Sequence, residues 1–260
     1  MSKAKSIMST ISKELVAAGM LIVLYSVAGR GKTSMCANLS KSVLFGVCDG
    51  ENSLPLLVKS KQCPPVNCFQ PWKSYAEVVE ALEALAESDE LPEVFVIDSL
   101  FYIGNMIKEA VLQELYHGDR QKFKNYGVGA KDCGDEALNF MKRIRAITER
   151  GVHVILIAHA ESTRYANPED ADYLRMQFSS EKWFYYPVER QADNVFYIGT
   201  PTNVDTTGSQ AKARGTDERW LYTTGSPSRI CKNRLGLDDK YNLGKSAKSG
   251  AEVLSKVLGF

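Results

Sequence analysis

The chain has 260 residues, of which 44% are hydrophobic and 24% charged, with a formal net charge of +1. That balance suits one large folded domain, or one domain with a small appendage, and argues against a strongly basic nucleic-acid coat. The six cysteines (Cys36, Cys48, Cys63, Cys68, Cys133 and Cys231) form no paired framework, and no second ligand pair lies near Cys63 and Cys68 to complete a zinc site, so free thiols of a reducing compartment are expected.

Residues 1–18 place Ile7, Ile11 and Leu15 at helical spacing, which predicts an amphipathic segment. Lys3 and Lys5 ahead of an apolar stretch superficially resemble a secretory signal. Gly19 interrupts that stretch, however, and it runs straight into GRGKTS, so a buried strand is the better reading. No stretch is long enough to cross a membrane, and a cytoplasmic protein is expected.

Short apolar runs follow at 20–27, 42–48, 93–98, 152–159 and 194–199, rich in Val, Ile and Leu at successive positions. Strands covered on both faces read this way. Helical patterns fall between them at 32–41, 74–87, 101–117 and 130–150, the last with Leu138, Met141, Ile144 and Ile147 on one face and Gly151 as a stop. Residues 200–217 read as a loop. ERWLYTT and PSRICKNR, joined around Gly225 and Ser226, read as an antiparallel hairpin, and a short helix ends the chain. The expected fold is α/β, a mostly parallel sheet flanked by helices with a C-terminal antiparallel hairpin. Its expected divisions are 1–18, a main domain over 19–237, and a tail over 238–260.

The chemistry concentrates at strand ends. Ser26-Val27-Ala28-Gly29-Arg30-Gly31-Lys32-Thr33-Ser34 follows a strand and opens a helix, as a phosphate-binding loop requires. Gly29 and Gly31 let backbone N–H groups turn toward phosphate oxygens, Lys32 would reach the β- and γ-phosphates, and Thr33 would bind Mg²⁺. Ser26 stands where the usual pattern has its first glycine. Asp98, ending EVFVID, fits a Mg²⁺ ligand facing Thr33. Glu51, in VCDGEN, could polarise a water for attack on the γ-phosphate and is favoured over Asp49. His159, ending VHVILIAH, could hydrogen-bond the γ-phosphate.

GRGKTS, DGEN, VIDS, IAHAES, ERQADNVFYI and ICKNRLGL together resemble the RecA-like P-loop ATPases, and look closest to the AAA-type nucleotide-binding proteins of phages that act in single-strand annealing or recombination. The resemblance covers residues 19–237. It implies a RecA-like fold, ATP and Mg²⁺ as cofactors, and a homo-oligomeric ring or filament. It also implies that Lys232 and Arg234 act as fingers reaching a neighbouring protomer's nucleotide. Single-stranded DNA is the implied partner, with a single-strand-binding protein as a further candidate.

The DNA contact is expected within 161–190, where Arg164, Arg175 and Lys182 are interleaved with Tyr165, Trp183, Phe184, Tyr185 and Tyr186. Acidic residues dilute that charge, and packing under a lid or at an interface is the competing reading. A second basic cluster spans 119–131. Three functions remain: a DNA-dependent ATPase of recombination, annealing or replication; a nucleotide-gated assembly or loading factor with little DNA binding; and, last, a small-molecule kinase, for which no arginine-rich lid is visible.

Overall fold

The computed structural model describes residues 19–39, 41–205, 212–215 and 218–259. The amphipathic segment 1–18 and part of the 200–217 loop lie outside these. In chain order the strands are β1 (Leu21–Ser26), β2 (Val43–Val47), β3 (Asn67–Cys68), β4 (Val94–Asp98), β5 (His153–Tyr165), β6 (Tyr173–Phe178), β7 (Asn194–Gly199), β8 (Thr202–Asp205), β9 (Lys212–Gly215), β10 (Arg219–Tyr222) and β11 (Lys240–Gly244). The helices are α1 (Lys32–Ala37), α2 (Ser53–Lys59), α3 (Tyr75–Glu87), α4 (Leu100–Tyr116), α5 (Arg120–Lys124), α6 (Val128–Glu149), α7 (Lys182–Gln191) and α8 (Ala247–Leu258).

Every residue of β1 is buried. Leu21, Val23 and Tyr25 point into one apolar core and Ile22 and Leu24 into another, so the two-residue period of the strand supplies both faces of the sheet. Helices α3, α4, α6 and α7 cover the first face through Leu82, Ile103, Ile107, Phe140, Met141, Ile144, Phe184 and Val188. Helices α1, α2 and α8 cover the second through Met35, Leu54, Leu254 and Leu258. On α6 the buried stripe takes Ala137 and Phe140, while Leu138, expected on it, is 41% exposed.

Strand order along the main path is β11-β10-β7-β1-β5-β4-β2-β3. From β7 to β3 neighbouring strands are parallel, and β10 and β11 add antiparallel pairs at one edge. Strand β5 lies between β1, which leads into the Gly29–Gly31 loop, and the strand β4 that ends in Asp98.

Two regions depart from expectation. Within 161–190, where the DNA contact was expected, β5 runs on to Tyr165 and pairs antiparallel with β6, and α7 follows. The predicted partner of β10 also differs. Residues 226–229 close a tight turn, with Ser226 and Arg229 exchanging backbone hydrogen bonds, and the chain then bridges Met176 and Val195. The true partner of β10 is β11, from the expected tail. With Leu243, Leu254 and Leu258 buried in the second core, residues 238–259 are part of the main fold. Among the described residues no helix is long and apolar enough to cross a membrane.

Candidate nucleotide-binding site

The parallel register brings the strand-end residues to one edge. Ser26 stands beside His159, and Asp98 lies between Val47 and Ile157 on the neighbouring strands. Gly29 and Gly31 take φ values of 75° and 84°, the left-handed region glycine enters without steric cost. Ser26 has no positive φ, which is why serine can replace the usual glycine there. Its buried hydroxyl accepts a hydrogen bond from Lys32 Nζ at 3.0 Å and donates to the Val27 carbonyl at 2.8 Å. Lys32 Nζ also donates to the Ser26 carbonyl at 3.2 Å. Thr33 Oγ1 donates to Asp98 Oδ2 at 2.6 Å. Loop residues 28–34, Glu51, Ser53, Leu56, Gln62, Asp98 and His159 line one cavity of about 900 Å³, which Asp49 does not line.

A strand–loop–helix cradle of this kind, with a buried lysine and a Thr–Asp pair, can grip a phosphate chain and a hard cation. A family model for an AAA domain matches residues 18–235. This chain belongs to the AAA domain family. That membership supports a nucleotide-binding P-loop ATPase. No curated protein matches the sequence. Among solved structures, the flagellar accessory protein FlaH from Methanocaldococcus jannaschii is similar at 12% identity over 88% of this chain and 86% of that one, with a TM-score of 0.43.

The electrostatics of this AAA domain are those of buried groups held close together. Asp98 is 3% exposed, and burial pushes its carboxyl up to about 6 against the Thr33 hydrogen bond, with Glu51 adding to the rise and Lys32 opposing it. Burial lowers the Lys32 ammonium, while Asp98 and Glu51 pull it back up. His159 is lowered by burial and then by Lys32, so it presents a neutral imidazole. Glu51 accepts only a long bond, 3.3 Å, from the Ser53 N–H. Among the described residues the buried Ser53 hydroxyl, at the cavity wall, has no hydrogen-bond partner. Among the described residues there is no cluster of three or more His, Cys, Asp or Glu that could hold a metal. Thr33 and Asp98 are instead the two hard oxygens that suit Mg²⁺ shared with phosphates.

The other predicted residues lie elsewhere. Lys232 bridges Val195 and donates to the carbonyls of Glu189 and Arg190. Arg234 pairs with Asp193 at 3.1 Å, beside Leu21 at the start of β1. Both therefore sit toward the far end of the strands from the phosphate loop. Arg164 pairs with Asp172 across the β5–β6 arm, and Arg175 lies 4.3 Å from the Tyr165 ring centroid. Lys182 is exposed at the start of α7, and Trp183 packs against Phe184 and the first core. Sequence reading missed Ser53, the whole α2 wall and Arg219, whose NH1 donates to the Arg30 carbonyl at 3.1 Å. None of these carries a motif.

Proposed function

We propose that this chain binds ATP with Mg²⁺, hydrolyses it at the C-terminal edge of the parallel strands, and couples that cycle to single-stranded DNA in recombination, annealing or replication. The observation that carries the reading is the convergence of Lys32, Thr33, Asp98, Glu51 and His159 on one cavity. Bound Mg²⁺ would supply charge neutralisation between the β- and γ-phosphates. Thr33 and Asp98 would hold it, exchanging their mutual hydrogen bond for metal contacts. Lys32 would leave the Ser26 and Val27 oxygens for phosphate oxygens. Glu51 would orient and deprotonate the attacking water, and neutral His159 would donate to the γ-phosphate.

Support for a DNA contact comes from the tip between α4 and α6. There Tyr126 is 96% exposed, with Arg120, Lys122, Lys124 and Lys131 exposed around it. An exposed ring among cations suits base stacking with phosphate tracking. The 161–190 segment suits it less, because Phe184 and Tyr185 are buried.

We further propose a ring or filament in which Lys232 and Arg234 serve the neighbouring protomer's nucleotide. Their distance from their own phosphate loop and the 56% exposure of the Arg234 side chain favour this reading.

The deciding experiment is steady-state ATP hydrolysis with and without single-stranded DNA, using Lys32→Ala as the blank. DNA stimulation absent from the blank is expected. Turnover indifferent to DNA would replace this reading with a nucleotide-gated assembly factor, which the packed aromatic residues of α7 favour.

A further inference from the structure

Arg219 opens β10, where the register shifts between Arg219 and Trp220. Its guanidinium contacts three backbone carbonyls from three segments. NH1 donates to Arg30 in the phosphate loop at 3.1 Å, Nε to Gly244 at the end of β11 at 3.2 Å, and NH2 to Ser246, the N-cap of α8, at 2.5 Å. We propose that Arg219 is a positioning residue for the phosphate loop, fixing the Arg30–Gly31 peptide so that the Gly31 N–H faces the phosphates. The inference rests on the nucleotide reading above.

The geometry follows from the peptide unit. In a trans peptide the carbonyl and the next N–H point in opposite directions. The Arg30–Gly31 bond is trans, so a carbonyl drawn toward Arg219 turns the Gly31 N–H away from it. Gly31 lines the cavity and Arg219 does not, which puts that N–H on the cavity side. The missing side chain of Gly31 is part of the arrangement, because a Cβ there would stand 2.6 Å from Arg219 NH1. Without Arg219 the peptide could rotate and present a carbonyl dipole to the phosphates, replacing attraction with repulsion. The fork geometry matters, since one planar guanidinium serves three acceptors that a compact ammonium cannot span together. Gly244 and Ser246 lie beyond the 18–235 stretch shared with the family, so the end of this chain braces the loop through a single side chain.

The test compares Arg219→Ala and Arg219→Lys with the wild type, measuring affinity for Mg-ATP and for inorganic tripolyphosphate by displacement of a fluorescent nucleotide, together with kcat and KM. Losing a charge-assisted bond that orients a phosphate donor should weaken both ligands by the same factor, about tenfold in the alanine variant and less in the lysine variant. KM should rise while kcat at saturation stays within about twofold, because the chemistry-bearing residues are untouched. A brace that served stability alone would lower the melting temperature and leave both affinities of the folded protein unchanged, which would overturn the inference. A loss for ATP but not for tripolyphosphate would overturn it too, by moving the effect away from the phosphates. If the alanine variant does not fold, the lysine variant decides, and wild-type affinity there counts against the proposal. Wild-type protein binding neither ligand would overturn the nucleotide reading itself, and this inference with it.

Discussion

Asp98 shows what a phosphate site costs the protein that keeps it. Its carboxyl is 3% exposed and shifted up to about 6 by burial. Because the folded-state value lies above the unfolded one, both states are protonated in strong acid. As pH rises the unfolded chain loses its proton first, so nucleotide-free stability falls between roughly pH 4 and 6. Asp98→Asn removes that penalty. The nucleotide-free variant should be more stable by on the order of 2–3 kcal/mol at pH 8 and no more stable at pH 4, and it should hydrolyse no ATP. Denaturant melts at both pH values check this, and equal stability at pH 8 would show that the carboxylate is not strained. Lys32→Ala should lose nucleotide binding, whereas Glu51→Gln should bind as the wild type does and lose at least about a hundredfold in turnover. Isothermal titration beside a phosphate-release assay separates the two. At this scale strand-end reading of the sequence picked out Lys32, Thr33, Glu51, Asp98 and His159, which line one cavity and whose roles these variants test, and Ser26 is tolerated because its backbone needs no left-handed turn. Arg219 was not legible, since an arginine at a strand start looks the same whether it faces solvent or three carbonyls.

At the scale of elements, one acidic residue ties the start of the sheet together. Asp193 accepts from Leu21 N–H at 2.8 Å and from Arg145 at 2.9 and 3.0 Å, and Arg234 adds a second cation. Burial alone would raise its carboxyl, but the Arg145 bonds, the Leu21 N–H and the two guanidinium charges hold it below the usual range. A lowered folded-state value contributes stability above the unfolded pKa and loses it as pH falls through the folded one. Asp193→Asn should therefore cost about 2 kcal/mol at pH 7, with the gap to the wild type closing in acid. A gap that stays constant down to pH 3 would assign the loss to shape instead of charge. The predicted strands and long helices agree with the structure because apolar periodicity encodes burial directly. The β5–β6 arm and α7 were hidden, since the charges and aromatic residues of the stretch read as a DNA contact, while Phe178, Phe184, Tyr185 and Val188 pack on the core. β11 was too short and polar to stand out, and only its pairing with β10 identifies it.

At the scale of the whole molecule, the question is whether one chain makes a complete catalytic site. Glu51 and the phosphate loop lie at one end of the parallel strands, and Lys232 and Arg234 lie toward the other. A head-to-tail assembly would bring the second pair to a neighbour's first, and repeated heterologous contacts of that kind build rings or filaments. Arg234→Ala is a clean probe because the Arg234 side chain is 56% exposed and Asp193 keeps its bonds to Arg145 and Leu21. An ion pair made by so exposed a side chain contributes about 0–1 kcal/mol, so the variant should fold normally. Alone it should bind nucleotide and turn over slowly, as should Glu51→Gln for a different reason. Mixed, each supplies what the other lacks. At equal ratio about a quarter of the junctions join the intact Glu51 of one variant to the intact Arg234 of the other, and turnover should recover to about that fraction of the wild type. The phosphate-release rate across a series of mixing ratios should peak near equality, a shape no pair of independent, singly damaged sites can produce. A flat series at the level of the separate variants would dismiss shared sites. Full turnover by Arg234→Ala alone would leave that arginine a single role, as a partner of Asp193.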